Sequence, residues 1–359
     1  MGLRLIRKAF TILTILAAFA SCNTGGTQVE AGRSEHRSVY YWKTTFELGK
    51  KEQVFLAKHD IDRIYLRMFD VDVKNNYAAD TTMVIPVATA QFKSPKPDSI
   101  EVVPAVFITV NALRHYEDRE SELAGLITKR VLNMCSYHDL GPISEIQFDC
   151  DWTETTRGMF CKLCEAAKKT LHEKGILLSG TIRLHQIEQA EYPFDKGVLM
   201  VYNTGAIKDP ETSNSIIAYD DVKKYLGVKS RVDKFLAARK NNCTVIDVAY
   251  PTFYWNVAFR PNGTFDEIIS EINYADYPLE WVIGEGCYRA TESVFVKETK
   301  NYIWKGQTIR PEYSDYKEVM KVKNLVESTV GGTGSNIIYH LDNRNLSKYS
   351  DNEIENILR

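Results

Sequence analysis

The chain of 359 residues is 44% apolar and 26% charged, so it can bury a full core, as one large α/β domain with embellishments or as two smaller domains. Its formal net charge of −2 supplies no overall basic field, which removes nucleic acid from the expected partners. No internal repeat is present, so repeat architectures are set aside as well.

Arg4, Arg7 and Lys8 precede an apolar run, 9–20, that is too short to span a bilayer as a mature anchor; this is the layout of an export signal. The run closes on Phe19-Ala20-Ser21-Cys22, which resembles the bacterial lipoprotein signal. That resemblance implies removal of 1–21 as a signal peptide and acylation of Cys22 as the first mature residue. An ordinary secretory signal with an incidental cysteine is the alternative. Residues 22–36, rich in Gly and Thr, read as a flexible tether, and 37–359 as a single domain. The expected setting is the bacterial cell envelope, with the lipid membrane as a partner through Cys22, on the periplasmic or the surface face of the outer membrane.

In the mature part, 39–43 is the first strand candidate and 50–58 a short helix. Along 61–71, Ile64, Leu66 and Met68 alternate with Arg63, Tyr65 and Arg67, which is the period of a strand. An irregular polar passage, 75–99, follows, with an apolar patch at 83–87. Residues 100–110 give a third strand; Leu123, Leu126, Ile127, Val131 and Leu132 then recur at helical spacing across 118–137. The central strand, 146–153, leads into an amphipathic helix over 156–174, which Gly175 breaks. Further strands at 176–183, 197–202, 244–250 and 336–341 are interleaved with helices at 219–226, 232–240 and 316–328. The segments 293–298 and 300–310 read as a β-hairpin inserted before the last helix and strand. Strand and helix in alternation imply a parallel sheet covered by helices. With about eight strands, a closed (β/α)8 TIM-type barrel is favoured over an open sheet.

Six cysteines lie beyond Cys22: Cys135, Cys150, Cys161, Cys164, Cys243 and Cys287. Cys161 and Cys164 share a helix face and read as small hydrophobes packed on the barrel. Neither a second CxxC nor a nearby His cluster supports zinc, and no cofactor motif is found. A disulfide stays open for an exported chain.

The chemistry concentrates in Ile146-Gln147-Phe148-Asp149-Cys150-Asp151-Trp152-Thr153, where Gln147, Asp149 and Asp151 share one face of the strand. Carboxylates on a buried face are costly unless paired, hydrogen-bonded or working. In a β/α barrel the carboxyl ends of the strands are where catalytic groups collect. The plainer reading is structural, with both acids held by Arg or Lys side chains inside the barrel.

The motif Asp149-Cys150-Asp151-Trp152-Thr153 resembles the fourth-strand signature D-x-D-x-E of family 18 glycoside hydrolases. Leu199-Met200-Val201-Tyr202-Asn203 resembles their sixth-strand M-x-Y-D, and Ile338-Tyr339-His340-Leu341-Asp342 their eighth strand, where an aromatic floors the sugar site. The chain is more similar still to a group of exported Bacteroidetes-type lipoproteins with this barrel pattern. The resemblance implies a glycan ligand whose N-acetyl group serves as its own nucleophile. Asp151 would orient that group, Asp149 would tune Asp151, and Tyr202 would hydrogen-bond the amide carbonyl. The motif's closing Glu is the family's general acid, and its place is taken by Thr153, which cannot protonate a leaving group. The acid would have to be Glu154, one residue out of phase, or a loop carboxylate such as Glu285. Asn203 likewise stands where the family carries Asp.

Lys43, Arg67, Arg183 and His185 close other strands, placed either to neutralise the two acids or to bind an anionic sugar. Trp42, Tyr250, Tyr254, Trp255 and Tyr339 also fall at strand ends, where aromatics stack on sugar C–H faces or pack the rim. Catalysis is thus expected at Asp149, Asp151, Glu154 and Tyr202, and substrate contact at Trp42, Arg67, Arg183, His185, Asn203, Tyr254, Trp255 and Tyr339. A glycoside hydrolase acting on a glycan is the leading reading, narrowly ahead of a non-catalytic glycan-binding lipoprotein, with a structural envelope protein third.

Overall fold

The computed structural model describes residues 36–76, 81–188, 192–241, 245–269, 272–297, 300–331 and 334–359. The leader, Cys22 with its expected lipidation, nearly all of the tether, and Cys243 lie outside them.

Eight parallel strands form the centre: β1 (Ser38–Tyr41), β2 (Arg63–Asn76), β3 (Glu101–Ile108), β4 (Glu145–Asp149), β5 (Leu177–Arg183), β6 (Lys196–Met200), β7 (Val245–Pro251) and β8 (Asn336–Tyr339). β1 pairs with both β2 and β8, so these eight strands close into a barrel. Outside lie helices such as Glu120–Tyr137, Arg157–His172 and Tyr316–Val330, whose apolar stripes cover the strands. Between β5 and β6 the described residues carry only a 3-10 turn, Leu184–Gln186. No helix among the described residues is long and apolar enough to cross a membrane.

The period-2 alternation decides what fills the barrel. On β2, Tyr65 faces inward and meets Lys196 of β6 and Asp247 of β7 across the interior. On β4, Glu145, Gln147 and Asp149 climb the same interior face and set three polar layers. At the amino end Glu145 meets Arg63 at 3.3 Å and Lys196 at 3.5 Å, and Lys196 meets Asp247 at 2.7 Å. Gln147 sits midway, accepting from the Tyr40 hydroxyl at 2.8 Å. Asp149 reaches the carboxyl end.

Two segments depart from the sequence reading. The passage taken as irregular holds a strand, Thr81–Val87, antiparallel to the far half of β2, as its β-branched run Thr-Thr-Met-Val-Ile allows. The expected hairpin is present as Val294–Val296 paired with Asn301–Ile303, but its second leg stops there, because a turn at Gly306 (φ +85°) redirects the chain. The next strand, Thr308–Tyr313, joins Tyr254–Phe259 in a five-stranded antiparallel sheet. The whole of 252–315 is therefore an insert with its own small core of Ala258, Ile269, Val296, Ile303 and Ile309.

Cys135, Cys150, Cys164 and Cys287 are buried as free thiols, and Cys161 is half-buried.

Candidate functional site

The polar groups at the carboxyl end of the barrel come from four strands. Asp149 closes β4 and is buried, with only 3% of its side chain exposed, whereas Asp151, two residues on, is 51% exposed. Arg183 closes β5 and bridges the two: its Nη2 lies 3.3 Å from Asp149 Oδ1, and its Nε donates to Asp151 Oδ1 at 2.6 Å. Thr181, one turn of the pleat below, donates its hydroxyl to Asp149 at 2.5 Å. The Arg183 guanidinium also lies 5.4 Å from the Tyr202 ring centre, and Tyr202 stacks on Tyr339 at 4.3 Å with 21° between the rings.

Burial sets the protonation of this cluster. It raises the Asp149 carboxyl above its ordinary value, against the opposing charge of Arg183 and the Thr181 bond. Burial would discharge Arg183, but Asp149, Tyr202 and Asp151 outweigh it and hold the guanidinium charged. Tyr202 is pushed up to about 12, so its phenol keeps its proton and can donate.

Two adjoining hollows open over these residues. The first, of about 290 Å³, is lined by Asp151, Arg183, His185, Tyr202 and Asn203. The second, of about 270 Å³, is lined by Tyr202, Asn203, Phe253, Trp255, Tyr339 and the charged rim Lys43, Asp342 and Arg344. Tyr202 and Asn203 thus form the partition. Asn203 holds φ at +54°, a left-handed turn that Asn tolerates better than most residues, and the turn presents its amide at the divide.

The second hollow has firm walls. Trp255 donates its indole N–H to Glu312 at 2.7 Å. Glu312 is buried and paired with Arg310 at 2.7 Å, and Arg310 in turn donates to the carbonyls of Asp209 and Pro210 at 2.8 and 3.2 Å. The insert and the loop after β6 are thereby tied together behind the indole. Asp342 meets Lys43 at 3.3 Å and Arg344 at 2.9 Å. Burial opposes ionisation of Asp342, but hydrogen bonds from Arg344 and the Lys43 charge prevail and bring its carboxyl down to about 2. His340 is held neutral, its pKa lowered to about 4 mainly by burial.

Asp149, Asp151, Arg183, His185, Tyr202, Asn203, Tyr254, Trp255 and Tyr339 therefore gather at one mouth, and other residues stay apart. Arg67 is engaged by Asp70, three residues on, and lies 5.6 Å over the Trp42 ring, so it leaves Asp149 and Asp151 to Arg183. Trp42 packs 6.1 Å from Tyr339 and lines neither hollow. Glu154 is exposed on the turn ahead of the Arg157–His172 helix and also lines neither. Glu285 is committed to Arg289 at 2.8 Å on the insert. Thr153 takes its backbone N–H to Thr156 Oγ1 at 3.0 Å, as part of the helix start.

Sequence reasoning placed Lys43 at the mouth but not its pairing with Asp342 beside Arg344, and it missed Phe253 and the Arg310–Glu312 pair. Arg310 and Glu312 sit two apart on one strand face, which would have been readable only once 308–313 was recognised as a strand. Among the described residues no group of three His, Cys, Asp or Glu side chains is placed to hold a metal.

The sequence matches no protein-family model and no curated protein. Solved structures of similar fold include a chitinase from Chromobacterium violaceum, 13% identical, covering 85% of this chain and 93% of that one, with a TM-score of 0.49. A class V chitinase from Nicotiana tobaccum is 12% identical over 87% of this chain and 96% of its own, with a TM-score of 0.47. The Bacillus cereus spore cortex-lytic enzyme SleL is 15% identical over 85% and 71%, with a TM-score of 0.45. The barrel itself is established by the strand pairings given above.

Proposed function

We propose that this chain is an envelope lipoprotein that holds a glycan in its barrel mouth without cutting it. The observation that carries the reading is the Arg183 clamp. It commits Asp151 to a guanidinium at 2.6 Å. The other carboxylate lining the two hollows, Asp342, is ionised down to about 2 and holds no proton to give a leaving group. What the mouth does offer is flat rings at Trp255 and Tyr339, a protonated Tyr202, and the side chains of Asn203 and His185. Those suffice for stacking and hydrogen bonding to sugar. Acylation of Cys22, proposed from the leader pattern alone, would hold the barrel at the membrane.

Substrate-assisted hydrolysis is the second reading, favoured by one feature: Asp151 is half exposed in the same hollow as Tyr202, the pair an acetamido group would need.

The test is binding of the purified full-length chain to a panel of N-acetylated, uronic and neutral glycans, with Trp255→Ala beside the wild type. The expected result is a bound class of glycan and a loss of affinity of about tenfold or more in the variant. No binding by the wild type, or equal binding by Trp255→Ala, would defeat the proposal.

A further inference from the structure

A third hollow continues the mouth sideways. It measures about 290 Å³ and is lined by Phe253, Tyr254, Tyr313, Tyr316, Tyr349 and Lys348. Phe253 and Tyr254 also wall the second hollow, just as Tyr202 and Asn203 are shared between the second and the first. The three therefore form a row from Asp151 to Lys348. Each alone sits at or just below the low end, about 300 Å³, for a small-molecule site, so a ligand that fills this row spans several of them.

The outer end differs from the rest in how its cation is paired. In the first hollow Arg183 is neutralised by Asp149 and Asp151, and in the second Lys43 and Arg344 face Asp342. In the third, the Lys348 ammonium lies 3.4 Å above the centre of the Tyr254 ring and makes no ion pair among the described residues. The two carboxylates that line this hollow are used elsewhere. Asp315 caps the Tyr316–Val330 helix, and Glu353 closes the capping box with Ser350. Lys348 is exposed as a residue, but its ammonium is partly desolvated against the Tyr254 ring with no paired anion to oppose this, and its pKa is lowered. Because Lys348 covers this face of Tyr254, a sugar arriving here meets a cation rather than a bare ring.

Building on the glycan reading above, we propose that the ligand is an acidic oligosaccharide laid along all three hollows, with a carboxylate or sulfate of its outer sugar paired to Lys348. The neutral portion rests on Trp255 and Tyr339, and the charge is read only at the far end. Charge-assisted hydrogen bonds of this kind are the strong ones, so one such contact distinguishes an acidic sugar from its neutral counterpart.

The experiment measures binding of the full-length chain to matched pairs of oligosaccharides that differ only in the acidic group, such as oligogalacturonates and their carboxyl-reduced forms, and sialylated glycans and their asialo forms. Wild type, Lys348→Met and Trp255→Ala are compared. The acidic member is expected to bind about tenfold tighter to wild type, with the preference erased in Lys348→Met while affinity for the neutral member is unchanged. A preference that survives in Lys348→Met overturns the assignment of Lys348. No preference in wild type, with binding that still depends on Trp255, overturns the acidic ligand and leaves the glycan reading standing. Absence of binding to every pair overturns both.

Discussion

The two ends of the barrel carry similar clusters of opposite charge and use them differently. At the amino end, Lys196 and Asp247 are 5% and 1% exposed, each has its partner, and Tyr65 closes the space above them. At the carboxyl end, one guanidinium serves two carboxylates, and Asp151 faces an open hollow. A buried ionic layer whose members pair with one another and are closed off from solvent gives a ligand no access, and it acts as a structural plug. A cluster with an exposed member beside rings and hydrogen-bond donors can still trade partners. The contrast locates function by exposure and pairing, not by the count of charged side chains.

The largest expected effect breaks the plug. Lys196→Met leaves Asp247 without its cation and Glu145 with Arg63 alone, and should cost about 3–5 kcal/mol, read by denaturant unfolding. Glycan binding by the fraction that remains folded should be unchanged. A loss below about 1 kcal/mol would mean that the amino-end cluster is no plug.

Next in size is Arg183→Leu, whose cost should depend on pH. The native Asp149 carboxyl lies above its unfolded value, so it binds its proton more tightly when folded. The stability it contributes is complete below the ordinary carboxylate range and is lost as pH rises through the native pKa. Without Arg183 that native value climbs further. The variant should therefore unfold nearly like wild type in acid and lose stability towards neutral pH, by about 2 kcal/mol or more. Adding Asp149→Asn should flatten the dependence. A deficit that is equal at all pH values would contradict the clamp.

The smallest effect concerns Asp342. Its native pKa of about 2 lies below the unfolded value, so its contribution is complete above the ordinary range, near about 3.9, and disappears as pH falls towards about 2. Asp342→Asn should lack this acid-side slope in a series of melting curves, and an unaltered slope would show that Lys43 and Arg344 do not hold that carboxylate.

The sequence disclosed the barrel because period-2 and helical spacing alternate in long, strong segments such as 61–71 and 118–137. It disclosed Asp149, Asp151, Arg183, Tyr202 and Tyr339 as one group because parity at strand ends is fixed once the barrel is assumed. Of the insert it disclosed only a hairpin within 293–310; the remaining strands run four to six residues and lack sustained alternation. Nor did it show that Arg67 would turn to Asp70. Arg67 and Arg183 have the same parity on their strands, and only the packing around Trp42 separates a local ion pair from a clamp across two strands.

The most direct test of the central claim is the release of new reducing ends from the best-bound glycan, followed to long times with wild type and Asp151→Asn. The account predicts that the glycan is bound and recovered intact from both. Release by wild type that disappears in Asp151→Asn would contradict it and make the mouth an active site.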